Sequence, residues 1–182
     1  MRIAVTGKMR SGKDTLASYF INDLHFQKLG FRDGIEKIGQ DFFPELLAKG
    51  KPRKFYQHVG QSLREIDPYV WINFLDKRLQ ALNGTGIENF IVTDVRQVNE
   101  YNYLKKQGFI VLKVEADEEI RRERIEKAGD IFSPEQFYHD TEIQVDNIPA
   151  DYILTNNTTL QDFLDQINYV YREIKGEELY GE

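Results

Sequence analysis

Apolar and polar positions alternate along the chain in two rhythms. Short unbroken apolar runs occur at Ile3–Thr6, Phe90–Thr93 and Phe109–Glu115, with a shorter one at Tyr152–Leu154. Such runs predict strands buried on both faces, as in a parallel sheet. His25–Leu29 is a candidate further strand. Between them the apolar residues recur at helical spacing over Lys13–Leu24, Pro52–Ile66, Pro68–Leu82, Val98–Lys106, Glu118–Lys127 and Leu160–Ile174. Strands alternating with helices predict an α/β fold of three layers, a mostly parallel central sheet of about five strands flanked by helices. No repeat or linker divides the chain, and 182 residues suffice for one domain with a real core.

Open parallel sheets bind ligands beyond the carboxyl ends of their strands. Four groups of unusual polar residues fall at such ends: Gly7–Thr15, Asp33, Asp94–Arg96 and Thr155–Asn157. One shared site is therefore expected.

The first group reads GKMRSGKDT. It follows an apolar strand and opens a helix, the setting in which a G-x-x-x-x-G-K loop cradles phosphates with backbone N–H groups and the helix N-terminus. Gly7 and Gly12 permit backbone geometry that a side chain would obstruct. Lys13 supplies a mobile point charge for terminal phosphates. The loop departs from the usual pattern at its eighth position, where Asp14 replaces the magnesium-holding hydroxyl and Thr15 brings that hydroxyl one residue late. Asp14 reads either as an acid favouring the helix dipole or as a carboxylate facing Mg²⁺, and the two are compatible.

In NFIVTDVRQVNE, Asp94 ends a strand and Arg96 follows two residues later. That acid suits a water-mediated hold on Mg²⁺, and the guanidinium suits a phosphate; a helix cap and a surface arginine fit the same residues. In KPRKFYQHVGQSLREID the helical period puts Arg53, Gln57, Gly60 and Arg64 on one stripe, with Phe55, Val59, Leu63 and Ile66 on a core-facing stripe roughly opposite. The first stripe fits a phosphorylated base, with glycine allowing close approach, and equally fits a solvated face. In EADEEIRRERIEKAGD, Arg121 and Arg124 share a face and are placed to clamp transferring phosphates; Glu118, Glu119 and Glu123 would alternatively pair with the arginines on a wet surface. Tyr138, His139, Asp140 and Glu142 read as surface.

Composition narrows the chemistry. The net charge of −6 argues against stable nucleic-acid binding, which needs a basic footprint. With no cysteine there is no disulfide, thiolate nucleophile or cysteine metal site, and three scattered histidines make a zinc site improbable. No signal-peptide pattern or membrane span is expected, so the reading is a soluble intracellular protein.

Taken in order and spacing, these segments resemble the deoxynucleoside monophosphate kinases found largely in bacteriophages, a branch of the P-loop nucleoside monophosphate kinase family. GKMRSGKDT is similar to that family's loop, RKFYQHVGQSLREIDPYVW to its substrate helix, TDVRQVNE to its second strand end, RRERIEKAGD to its lid, YHDTEIQVDN to a later segment and DYILTNNTTLQDF to its final strand and adenine-side loop. The resemblance covers the chain from Arg2 to about Ile174. It implies a single P-loop kinase domain: a core at about 1–32, 86–117 and 150–176, a helical substrate-binding insertion at about 33–85 and a small lid at about 118–145. It implies ATP- and Mg²⁺-dependent transfer to the 5′-phosphate of a nucleoside or deoxynucleoside monophosphate. Gly7, Arg10, Ser11, Gly12, Lys13, Asp14 and Thr15, with Asn156 and Asn157 near the base, would hold ATP. Asp14 and Asp94 would hold the metal. Asp33, Arg53, Gln57, Arg64 and Arg96 would bind the acceptor, and Lys13, Arg96, Arg121 and Arg124 would serve the transfer. It also implies a cytoplasmic enzyme of a bacterial or phage-infected cell, with monomer and homodimer both compatible. Where the family often has Asp-Pro-x-Lys, this chain has Asp33-Gly34-Ile35-Glu36-Lys37, and no role is expected of Lys37. Ala128 stands where a basic lid residue is common. Kinases of another acceptor, such as a phosphorylated metabolite or a hydroxymethylated base in DNA, and a non-catalytic ATP binder share the same loop. A GTPase switch is disfavoured by Asp94-Val95-Arg96-Gln97 and Asn156-Asn157-Thr158-Thr159.

Overall fold

The computed structural model describes residues 1–50, 52–128 and 144–177. Its strands are β1 (Arg2–Gly7), β2 (Gln27–Leu29), β3 (Phe90–Val92), β4 (Ile110–Glu115) and β5 (Tyr152–Thr155). Its helices are α1 (Lys13–Ser18), α2 (Asp33–Phe42), α3 (Pro44–Ala48), α4 (Arg53–Ile66), α5 (Val70–Leu82), α6 (Val98–Lys106), α7 (Glu118–Lys127) and α8 (Leu160–Lys175). The strands form one sheet in the order β2-β3-β1-β4-β5. Every pairing is parallel, with Ile3 opposite Ile91 on one side and Ile110 on the other. All five carboxyl ends therefore share one edge, as the sequence pattern predicts.

Alternation along β1 builds two cores. Ile3 and Val5 point to the face covered by α1 and α8, where Leu16, Phe20, Phe163 and Ile167 are fully buried or nearly so. Ala4 points to the other face, against Phe31, Ile35, Trp71, Leu75 and Leu104. Burying a side chain such as Phe20 or Leu104 contributes roughly 1.5–3 kcal/mol each.

The helix expected over Lys13–Leu24 is regular only to Ser18. It then widens into a π-type turn at Tyr19–Asp23, closed by the Leu24 N–H on the Tyr19 carbonyl at 3.3 Å. The wide turn sets Phe20 edge-on to Phe26, with ring centroids 5.0 Å apart. The candidate strand at His25–Leu29 is realised as β2, at the sheet edge.

Two expectations for α4 are corrected. Ile66 is not in the core but 80% exposed, because it is the last helical residue and the chain turns extended at Asp67. Gly60 is not open to a ligand. It is buried with Ile35 Cδ1 3.1 Å from where its side chain would begin, and its carbonyl accepts from Trp71 Nε1 at 3.1 Å. The helix packs against both α2 and α5, so it is covered on two sides, not one.

Among the described residues no helix is long and apolar enough to cross a membrane. The segment containing Tyr138, His139, Asp140 and Glu142 lies outside the described residues, as does most of the region expected to be the lid.

Candidate active site

The phosphate loop sits between β1 and α1 at the carboxyl edge of the sheet. Its backbone alternates through the left-handed region, with φ of 146° at Gly7, 62° at Arg10 and 114° at Gly12. That sequence of turns directs successive N–H groups into one concavity. A side chain at Gly7 would run into the Val114 carbonyl and lie 2.9 Å from Ser11 Oγ. Lys13 Nζ donates to the Lys8 carbonyl at 2.6 Å, bending back over the loop. Asp14 is exposed in the first turn of α1, and Thr15 is half-buried.

The loop is held from the side of β5. Asn156 is buried; its Nδ2 donates to the Ser11 carbonyl at 2.8 Å. Arg124 donates to the Asn156 carbonyl at 3.0 Å and to its Oδ1 at 3.1 Å, and to the Arg10 and Ser11 carbonyls at 3.3 and 3.4 Å. Arg121, also buried, donates to the Ala116 carbonyl at 3.2 Å and the Met9 carbonyl at 3.4 Å. Asn157 Oδ1 accepts from the Asp117 N–H at 2.8 Å. The α7 charges thus divide. Arg122 pairs with Glu118 and Lys127 with Glu123 on the wet surface, whereas Arg121 and Arg124 turn inward to the loop.

A second group of polar residues lies across β3. Thr6 Oγ1 donates to the Val95 carbonyl at 3.0 Å, tying the end of β1 to the segment after β3. Asp94 is a cap, though for α2 rather than for its own helix. Its two carboxylate oxygens accept from the Phe31 and Arg32 N–H groups at 3.0 and 2.8 Å. Asp33, at the start of α2, pairs with Arg78 of α5 and accepts from the Gly30 N–H at 3.0 Å. Burial raises the Asp33 carboxyl, Arg78 opposes that, and the nearby Asp94 charge adds to it. Gln57 is exposed on α4, and Arg53 is that helix's first residue.

One further acid organises this side. Glu100 is the third residue of α6 and is 2% exposed. One carboxylate oxygen accepts from the Arg96 and Gln97 N–H groups at 2.8 and 3.1 Å; the other accepts from Arg64 Nη2 at 3.2 Å. Burial pushes its carboxyl up to about 7, against the pull of the Arg96 amide and the Arg64 charge. Sequence reasoning missed Glu100 and Arg78. The only signal for Glu100 is an acid three residues after Gln97, the spacing of a capping box.

The residues of the loop suit a chain of phosphates. Ser11 Oγ is fully buried in the loop without a hydrogen-bond partner among the described residues, and the Gly7 and Gly12 surfaces leave no room for a side chain. Two clefts flank the loop. One of about 380 Å³ is lined by Gly7, Lys8, Asp117, Arg121, Asp146 and Asn157. The other, about 360 Å³, has Thr15, Tyr19, Leu160 and Leu164 among its walls. No cluster of three or more potential metal-ligating side chains occurs among the described residues.

A family model described as "AAA domain" matches residues 3–143, beginning in β1 and running through the loop and β4. The chain belongs to that AAA domain family. A protein of Acanthamoeba polyphaga mimivirus, provisionally named a deoxynucleotide monophosphate kinase, is 25% identical over 91% of this chain and 93% of its own length. Among solved structures, dephospho-CoA kinase from Campylobacter jejuni superposes with a TM-score of 0.59 at 19% identity, covering 97% of this chain and 98% of that one. Shikimate kinase from Acinetobacter baumannii superposes with a TM-score of 0.56 at 20% identity, covering 98% and 94%. This family member therefore has the fold of the P-loop kinases of nucleotides and small metabolites.

Proposed function

We propose that the protein transfers the γ-phosphoryl group of ATP to the 5′-phosphate of a nucleoside monophosphate, with deoxynucleotides as the preferred acceptors. The observation that supports this reading is that the Glu100 carboxylate joins the Arg64 guanidinium to the backbone of the Arg96 loop, next to the strand that bears the phosphate loop. A guanidinium there, with a second arginine on the loop it is tied to, suits an acceptor that already carries a phosphate. The relative from mimivirus supports the same substrate class.

In this reading the loop N–H groups from Gly7 to Thr15 and the Lys13 ammonium bind the donor phosphates. Lys13 leaves the Lys8 carbonyl to do so. The loop after β5, with Asn156 and Asn157, borders the site of the base. Asp14 and Asp94 would hold Mg²⁺, which would supply charge neutralisation on the phosphate oxygens. Arg64 and Arg96 orient the acceptor phosphate, with Arg53, Gln57 and Asp33 bordering the rest of the nucleotide. An acceptor phosphate oxygen attacks the γ-phosphorus, the bond to the β–γ bridging oxygen breaks, and its electron pair leaves with ADP. No side chain must remove a proton, because the attacking phosphate is already anionic; positioning and charge do the catalysis. Arg121 and Arg124 hold the loop in shape and place positive charge at its rim.

The test is ADP formation from ATP and Mg²⁺ with each common nucleoside and deoxynucleoside monophosphate. Turnover with one or a few deoxynucleotides, lost in Lys13→Ala and Arg96→Ala, is expected. Normal ATP binding with no turnover of any of these acceptors would overturn the proposal.

A further inference from the structure

The acceptor-side arginines come from separate parts of the chain, Arg64 from α4 in the helical insertion and Arg96 from the loop that follows β3. One side chain touches both segments. Glu100 spends one oxygen on the Arg96 and Gln97 amides and the other on the Arg64 guanidinium, and it does so with a side chain only 3% exposed. A helix cap alone needs neither this depth nor a second-site arginine; caps are ordinarily solvent-facing and cost little to build. Burying a carboxylate is costly unless it is paired and hydrogen-bonded, and here both of its oxygens are used, one on each segment.

We infer that Glu100 is a positioning residue for the acceptor phosphate: it fixes the Arg64 guanidinium relative to the Arg96 loop, so that α4 presents its charge to the cleft in one orientation. The inference rests on the kinase reading for its functional half, while its structural half stands by itself. The charged groups around the carboxylate are Arg64 from α4 and Asp94 from the end of β3; Arg96 meets it through its backbone N–H. Arg64 Nη1 also donates to the Gly60 carbonyl at 3.4 Å, so the guanidinium plane is set from two sides, by α4's own backbone and by Glu100.

Two measurements on the full chain test this. In steady-state assays with the best of the four common deoxynucleoside monophosphates, Glu100→Gln is expected to raise the acceptor KM about tenfold or more while the ATP KM stays within about twofold. The same change made on an Arg64→Met background is expected to add little, because the two residues act as one unit. Equal effects on both substrates, or full additivity, would overturn the inference. Independently of any acceptor, the Arg64 Nε and Nη signals in ¹⁵N–¹H spectra, assigned by their loss in Arg64→Met, report whether the guanidinium is held. Slow rotation in the wild type that becomes fast in Glu100→Gln supports positioning; identical spectra refute it. If no deoxynucleotide is turned over, the kinase reading falls and the arginine spectra still decide the positioning. Thermal unfolding of Glu100→Gln keeps loss of fold distinct from loss of positioning.

Discussion

Asn156 occupies the space where a side chain on Gly12 would begin, and from there its Nδ2 donates to the Ser11 carbonyl at 2.8 Å. The phosphate loop is thus braced by a residue 145 positions away. Asn156→Ala removes that bond and one of the four acceptors of Arg124, the Asn156 Oδ1, and is expected to destabilise the protein by about 1–3 kcal/mol and to raise the ATP KM more than the acceptor KM. Gly12→Ala adds a clash with Asn156 to a φ of 114°, which only glycine adopts readily, and ATP binding should be lost outright. Calorimetric titration with ATP and chemical denaturation check both; an Asn156→Ala protein with unchanged ATP affinity would show the brace to be dispensable.

Asp94 braces the turn before α2 and, in the proposed mechanism, would also hold Mg²⁺; one substitution separates the two. Its oxygens accept the Phe31 and Arg32 amides, so Asp94→Asn turns an NH₂ group toward an N–H donor. A stability loss of about 1–3 kcal/mol is expected, and with it a higher Mg²⁺ requirement for turnover. A variant that is destabilised but keeps the wild-type Mg²⁺ dependence would leave Asp94 as a cap alone.

The contact between α2 and α5 is equally specific. A methyl group on Gly34 would lie 2.9 Å from the Trp71 ring and 3.0 Å from Phe74. Gly34→Ala is expected to cost about 1–3 kcal/mol by overpacking. Because Asp33 and its Arg78 partner are adjacent, the acceptor KM should also rise. Denaturation and steady-state kinetics measure the two effects.

Stability should depend on pH through Glu100. Its carboxyl lies near 4.5 in the unfolded chain and about 7 in the fold, so the native state binds the extra proton in between. Stability from this group is therefore full below about pH 4.5 and is lost as pH rises through 7, by up to about 3 kcal/mol. Glu100→Gln cannot titrate and should lose this slope. Urea denaturation of both proteins at pH 5 and pH 8 tests it; parallel slopes would exclude Glu100 as the source. The ionised form that grips Arg64 is thus the less stable one, a trade of stability for function.

The parallel sheet and most helix positions were legible because local patterns dictate them; the helices α2 and α3 were not foreseen. An unbroken apolar run such as Ile3–Thr6 has few alternatives to a buried strand, and glycines spaced round Lys13 demand a particular backbone. The face of α4 was less legible. Its period is correct, but a helix wedged between α2 and α5 has two inner sides, which is why Gly60 is covered and Ile66 is bare. Glu100 was hidden for a different reason. An acid in the polar rhythm of α6 reads as solvated, and only the approach of Arg64, 36 residues distant, shows it buried. The readings of Arg121 and Arg124 as inward and of Arg122 as outward needed the same long-range information.

The strand order has a consequence for how the molecule comes into being. β1, the centre of the sheet, leaves the ribosome before either neighbour, since its partners begin only at Phe90 and Ile110. A nascent chain holding β1 and the helical insertion has an apolar ribbon with both edges open. Its closure waits on contacts far apart in sequence, which fold slowly and leave sticky edges in the interim. Nascent chains released before Phe90 should therefore bind chaperones and resist compaction, and protection from protease should arrive abruptly once β4 has been made.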